Sequence, residues 1–144
     1  MNSQPVSTYL QSFGIKPSQQ RLAVMEYLLT HKTHPTAEEI YRHLSPSMPT
    51  LSRTTVYNTL RLLSDCGAAL TIDIDERNKR FDGDTSIHGH FLCTECGAIH
   101  DIRFDGGNEL FRDTISGHRV KSVQILYKGC CEDCMKTEKG ENKI

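Results

Sequence analysis

The stretch LSRTTVYNTLRLLSDCG, Leu51 to Gly67, reads as one helix with two unlike faces. Ser52 is a favoured N-cap residue type, and Gly67 is the type expected just past a helix C-terminus. Val56, Leu60 and Leu63 fall at i, i+4 and i+7, a stripe that faces a core. The other face carries Arg53, Thr54, Thr55, Tyr57, Asn58 and Arg61, with no acid before Asp65. Guanidiniums, hydroxyls, an amide and a phenol suit phosphates and base edges in a major groove. A solvated helix face would look the same, so this helix alone leaves both readings open.

Its neighbours decide between them. PSQQRLAVMEYLLTH places Leu22, Met25, Leu28 and Leu29 on one helical face, with Pro17 and Ser18 as a start signal. In HPTAEEIYRHL, Thr36 and Glu39 form a capping-box pattern, and Ile40, Tyr41 and Leu44 supply a core face. SPSMPT breaks the pattern with two prolines. After the Leu51–Gly67 helix, ALTIDIDERNKRFDG alternates at Leu70, Ile72 and Ile74, turns through DERN and returns through Arg80 and Phe81. Helices followed by a two-stranded wing predict a winged helix-turn-helix, an α+β arrangement.

The second half changes character. HFLC and AIHDIRF read as short strands, GNELFRDTISG as a short helix ended by Gly117, and HRVKSVQILYKG as another strand. The closing MKTEKGENKI is polar and expected to fray. GDTSIHG, from Gly83 to Gly89, is the expected hinge between a domain over 1–82 and a second over 90–144. The second unit, at about 55 residues, is too short for a large core of its own. A metal staple and dimerisation would both compensate.

HGHFLCTECGAIHD, His88 to Asp101, concentrates three histidines, two cysteines and two acids. Cys93 and Cys96 form one C-x-x-C, and Cys131 and Cys134 form a second about 35 positions later. Two such pairs predict a tetrahedral zinc site with four thiolates. Cys130 would give C-x-x-x-C instead, so Cys131 is the expected ligand; Cys66 stands apart. His88 and His90, two apart on an extended segment, point to the same face, as a shared metal needs. His31, His43, His100 and His118 read as ordinary surface residues.

Bulk properties narrow the function classes. The 144 residues suit one domain or two small ones, and 37% hydrophobic with 24% charged residues is ordinary globular composition. A net charge of −1 argues against a generic polyanion binder but not against a local basic surface. No apolar run approaches the ~20 residues that span a bilayer. MNSQPVSTYLQSF lacks the basic and apolar regions of a signal peptide, so a cytoplasmic protein is expected. A thiol oxidoreductase or a zinc hydrolase is the rival class. The first would need its C-x-x-C beside a βαβ unit, the second an open zinc position and a general base.

Together HPTAEEIY, SRTTVYNTLRLL, RFD, HGHFLCTECG, IHDI and the closing CEDC resemble the ferric uptake regulator family, from about Gly14 to Cys134. The resemblance implies an N-terminal winged-helix DNA-binding domain, a hinge and a C-terminal α/β dimerisation domain. It implies a homodimer on a palindromic duplex operator, with structural zinc on Cys93, Cys96, Cys131 and Cys134. It also implies a regulatory metal between the domains, on His34, Asp82, His88, His90 and Asp101. Three imidazoles and two carboxylates without thiolate suit Fe(II) or Mn(II). Metal fixing the interdomain angle would set two recognition helices about one duplex turn apart, ~34 Å, or a multiple of it. Within the family the chain looks most like the peroxide-sensing repressors, which carry Asp where Asp101 stands. That likeness implies oxidation of His34 or His88. Iron-uptake members place an acid where this chain has Gly89, an acid near Asn108 and a histidine near Val123. Peroxide-sensing relatives themselves often carry histidines near Ser122 and Val123, so the chain departs from both patterns there. An iron-uptake or zinc-uptake repressor is the alternative reading.

Overall fold

The computed structural model describes residues 3–73, 79–86, 88–104 and 110–141. The chain folds as two compact units, Met1–Thr85 and Ser86–Ile144. The first contains α1 (Ser3–Ser12), α2 (Gln19–Thr30), α3 (Ala37–Leu44) and α4 (Arg53–Asp65), then β1 (Leu70–Ile72) and β2 (Arg80–Asp82). The second contains β3 (Gly89–Cys93), β4 (Ile99–Ile102), β5 (Thr114–Ile115), β6 (His118–Arg119), β7 (Leu126–Gly129) and α5 (Glu132–Glu141).

Local chemistry sets the helix starts. Ser18, Thr36 and Ser52 each accept a hydrogen bond from the backbone N–H three residues on, at 3.2, 3.2 and 3.0 Å. Each satisfies a donor that the first helical turn leaves without an intrahelical partner. The capping box at Thr36 forms from one side only, since the Glu39 carboxylate lies 3.7 Å from Arg80 Nη1 instead. Gly67 ends α4 at φ +86°, a left-handed position that glycine adopts without strain. Val56, Leu60 and Leu63 are fully buried with Met25, Leu28 and Ile40 in one core.

The α1 helix is a finding beyond the sequence reading. Val6 and Leu10 are buried in that same core, and the Tyr9 hydroxyl donates to the Ala68 carbonyl at 2.7 Å. Its signal was the i, i+4 spacing of Val6 and Leu10, diluted by polar neighbours. The β1–β2 wing is antiparallel, with Leu70 opposite Asp82 and Ile72 opposite Arg80. Ile74 and the DERN turn lie outside the described residues.

In the second unit the sheet order is β4-β3-β7, with β3 antiparallel to β4 and parallel to β7. Three expectations are corrected here. The helix expected over 107–117 is absent from its described part, where β5 and β6 form a hairpin. Its two turn residues, Ser116 and Gly117, have φ +48° and +82°, the backbone that a tight two-residue hairpin turn requires. Leu110 and Ile115, the aliphatic residues of that part, are exposed and pack no core. The strand expected over 118–129 survives only as β6 and β7, since 120–125 is not strand, although at its two ends the Val120 N–H donates to the Asp113 carbonyl and the Ile125 carbonyl accepts from the His90 N–H. Of the segment expected to fray, residues 135–141 continue α5, with Lys136 Nζ 3.5 Å from Glu132 Oε1 one turn back, and 142–144 lie outside the described residues.

Gly83 and Gly89 are both close-packed. A Cβ on Gly83 would stand 2.8 Å from the Leu28 carbonyl oxygen, and one on Gly89 would stand 3.0 Å from the Phe104 ring.

Candidate metal centres and nucleic-acid interface

Parallel pairing of β3 and β7 builds the thiolate cluster. Cys93 sits opposite Gly129, so both strands end at the same edge of the sheet. Beyond β3 the chain turns through Cys96, with Gly97 at φ +77° donating to the Cys93 carbonyl at 2.9 Å. Beyond β7 it passes Cys131 and enters α5, whose first turn presents Cys134. The four sulfurs lie within 4.8 Å of one another. Cys93 Sγ stands 3.7 Å from Cys134 Sγ, and Cys96 Sγ stands 3.8 Å from Cys131 Sγ. Tetrahedral zinc with Zn–S near 2.3 Å requires sulfur separations of about 3.8 Å, so the cluster fits zinc.

Its electrostatics fit as well. The backbone N–H groups of Cys96 and Cys131 point at Cys93 Sγ from 3.4 and 3.3 Å, and hold its thiol down to about 6. The hydrogen bonds of Cys134 with Cys131 and Cys93 push its thiol up. Cys130 turns away, and its thiol donates to the Cys131 carbonyl at 3.7 Å. Four thiolates in mutual reach close the zinc shell, which leaves no open position of the kind a hydrolase needs.

The five histidine and aspartate residues divide between the two units. In the first, His34 Nε2 lies 3.5 Å from Asp82 Oδ2, and both residues are buried. Asp82 Oδ1 accepts the Asp84 N–H at 2.9 Å, which orients the carboxylate. In the second, Asp101 is the cross-strand partner of His90, and its Oδ1 lies 3.6 Å from His90 Nε2 and 3.7 Å from His88 Nε2. The two rings stand 4.7 Å apart at 66°. His88 Nδ1 lies 2.7 Å from the Ser86 carbonyl. A carbonyl only accepts, so Nδ1 carries a proton, and Nε2 is the nitrogen left to face Asp101. Separations of 3.5–3.7 Å are long for hydrogen bonds. They lie near the roughly 3.0–3.5 Å between two ligand atoms each ~2.1 Å from one ion. Each set fits a cation through nitrogen and oxygen donors.

The remaining histidines lie elsewhere. His31 stacks on Tyr27 at 4.1 Å with His43 beside it, while His100 and His118 are exposed on strands.

On α4, Arg53, Thr54, Tyr57, Asn58 and Arg61 are exposed and Thr55 is half-buried. Thr55 accepts the Ser52 hydroxyl at 2.9 Å. Arg53 Nε donates to Glu38 Oε1 at 2.8 Å, with its guanidinium 4.4 Å from the Tyr41 ring centre. That guanidinium holds the Glu38 carboxyl below the usual carboxylate range. The Arg61 guanidinium stands 5.7 Å from the Tyr57 ring centre. Three further basic residues were missed in the sequence. Lys16 and Arg21 line an open cleft of ≈ 570 Å³ with Thr55 and Asn58, and Lys79 lies beside Tyr57 and Arg61. Lys79 next to Arg80 on the returning wing strand was the available signal.

A helix-turn-helix with a wing makes the first unit a DNA-binding domain. Histidine–carboxylate sets in both units and a thiolate cluster in the second define a metal-responsive DNA-binding regulator. Residues 12–128 match the profile of the Ferric uptake regulator family, and the chain belongs to that family. It is a metal-responsive repressor of that family, with a C-terminal dimerisation domain after its DNA-binding domain. The peroxide-responsive repressor PerR of Staphylococcus aureus strain Mu50 is 36% identical over 127 residues, 87% of this chain and 86% of that one. The structure of PerR from Streptococcus pyogenes is similar at a TM-score of 0.51 and 29% identity, covering 92% of each chain. The manganese-bound ferric uptake regulator of Pseudomonas aeruginosa shares the fold at a TM-score of 0.70 and 18% identity, covering 88% of this chain and 97% of that one.

Proposed function

We propose that this repressor binds a palindromic operator as a cytoplasmic homodimer when Fe(II) or Mn(II) fills its regulatory site, and releases it after peroxide. The observation that carries the reading is Asp101 Oδ1 standing 3.6 and 3.7 Å from His90 and His88, while four thiolates close on one another elsewhere. Cys93, Cys96, Cys131 and Cys134 are thereby committed to structural zinc. The regulatory ion is left an N/O set, which suits iron or manganese.

In this reading His34 and Asp82 share one ion with His88, His90 and Asp101. Neither set alone offers the five or six donors that such ions take. Those five side chains would hold the ion, and hydrogen peroxide would be the oxidant. Fe(II) held there would supply the reduction of hydrogen peroxide, with one oxygen atom passing to an imidazole ring carbon and the other leaving as water. His34 and His88 are the imidazoles that take it up, and a ring so modified loses its strength as a ligand. Asp82 and Asp101 carry the charge that favours a dication. Ser86 holds the His88 tautomer that offers Nε2. With both sets engaged, the segment between Gly83 and Gly89 is fixed, and the spacing of the two α4 helices suits one operator. Disengaged, that segment must be ordered on binding, which lowers affinity. Arg53, Thr54, Thr55, Tyr57, Asn58 and Arg61 make the DNA contacts.

Fluorescence anisotropy on a palindromic A·T-rich duplex tests the metal step. Mn(II) is expected to tighten binding at least tenfold over the zinc-loaded protein without Mn(II). Equal affinity in both states would overturn it.

A further inference from the structure

We propose that Arg80 is a positioning residue for the regulatory site, gripping the backbone of His34 and tying this ligand to the wing. The inference rests on the reading that His34 and Asp82 bind the regulatory ion.

His34 has φ +56°, one of two non-glycine residues with positive φ among those described. A histidine keeps such a backbone only where its surroundings over-determine it. Here β2 does so. Arg80 Nη1 donates to the His34 carbonyl at 3.3 Å, the Phe81 N–H donates to the Pro35 carbonyl at 3.0 Å, and Thr36 bridges Arg80 in antiparallel fashion. Residues 34–36 thus form an extra rung on β2, whose other edge pairs with β1.

Strand alternation puts Arg80 and Asp82 on one face and Phe81, buried in the core, on the other. His34 is therefore held twice from that face: its carbonyl by Arg80, and its imidazole 3.5 Å from Asp82. Movement of the His34 ligand must move β2, and with it the wing, within one unit.

Arg80 is a poor choice for stability alone. Its Nε is buried without a hydrogen-bond partner among the described residues, and Glu39 Oε1 is 3.7 Å from Nη1, beyond hydrogen-bond reach. An apolar side chain of similar length would avoid that desolvation cost. Charge alone also points the wrong way, because a guanidinium near a cation site repels the cation. A hold on the His34 carbonyl accounts for the residue where stability and charge do not.

The sign of the effect makes this testable. Mn(II) affinity is measured by titration on the zinc-loaded full chain without DNA, for Arg80→Met, Arg80→Lys and His34→Ala. Hydrogen exchange at the Phe81 amide is followed in the Mn(II)-free state. Arg80→Met is expected to weaken Mn(II) binding at least tenfold and to speed Phe81 exchange, with the thermal midpoint without Mn(II) unchanged or raised. Arg80→Lys is expected to fall between Arg80→Met and the native protein. Unchanged or tighter Mn(II) binding in Arg80→Met, with binding lost in His34→Ala, overturns the role of Arg80 and leaves the metal site standing. Native Mn(II) binding in His34→Ala overturns both. Should Arg80→Met fail to fold, the Lys variant decides by the same sign: weaker binding supports the proposal, and equal or tighter binding overturns it.

Discussion

His34 Nε2 lies 3.5 Å from Asp82 Oδ2, although one residue sits in a loop between helices and the other on the wing. The pairing places a possible ligand set inside the DNA-binding unit itself, on the strand that returns from the wing. Any ion that draws on His34 acts on an element in the same unit as α4. Asp82→Asn should therefore weaken Mn(II) binding and Mn(II)-dependent DNA binding together, by tenfold or more, and leave zinc content unchanged. Titration and elemental analysis of the same preparation check this.

The thiolate cluster predicts a sharp split among the cysteines. Cys93→Ser and Cys134→Ser should lose zinc and the dimer, because structural zinc binding contributes apparent folding free energy on the order of 10 kcal/mol. Cys66→Ser and Cys130→Ser should keep both, since Cys130 points its thiol at a carbonyl and not at the cluster. Elemental analysis with size-exclusion chromatography decides. Zinc missing from Cys130→Ser but kept in Cys131→Ser would reassign the ligand.

Arg61→Ala and Tyr57→Ala should weaken operator binding while Mn(II) affinity and zinc content stay unchanged. Loss of one phosphate contact also lowers the slope of log affinity against log salt by about one unit. Native affinity in both variants would move the recognition surface off this face of α4.

Two features of this protein separate what the sequence revealed from what it hid. Cap residues and core stripes are local, so Ser18, Thr36, Ser52 and Gly67 marked helix ends correctly, and the two C-x-x-C pairs announced their cluster. Long-range pairing is not local. Nothing in the order of residues said that β7 would run parallel to β3, which is what brings Cys131 and Cys134 to Cys93. Nor did anything say that residues 34–36 would pair with Arg80 and Phe81. Between Leu110 and Ile125 the periodic signal failed because exposed side chains there are under no packing constraint to alternate. The α1 helix was missed because Val6 and Leu10 are only two buried positions amid polar neighbours.

Gly83→Ala should destabilise the fold. The added Cβ would meet the Leu28 carbonyl oxygen at 2.8 Å and its carbon at 2.9 Å, helix backbone that cannot swing aside. A cost of about 1–3 kcal/mol is expected from overpacking. Urea unfolding measures it, and native stability would show that the contact relaxes freely.

Tyr9 gives the fold an alkaline limit. Burial raises its phenol above the usual value, and the proton is needed for its 2.7 Å bond to the Ala68 carbonyl. The raised value means that this stabilisation is complete below about pH 10, the unfolded value, and is lost as pH rises through the folded one. Tyr9→Phe should cost about 1 kcal/mol at neutral pH. It should also flatten the fall in stability above pH 10 in urea melts followed across that range. An unaltered alkaline fall would place its cause in another group.

The central claim is tested most directly by loading the zinc-containing protein with Fe(II) or Mn(II) without air, giving each a brief pulse of hydrogen peroxide, and measuring operator affinity beside peptide mass spectrometry. The iron form should lose the operator and gain one oxygen on the peptide carrying His34 or the one carrying His88, while the manganese form keeps its affinity. Retention of the operator by the iron form, or oxidation confined to cysteines with zinc released first, would contradict peroxide sensing at this site.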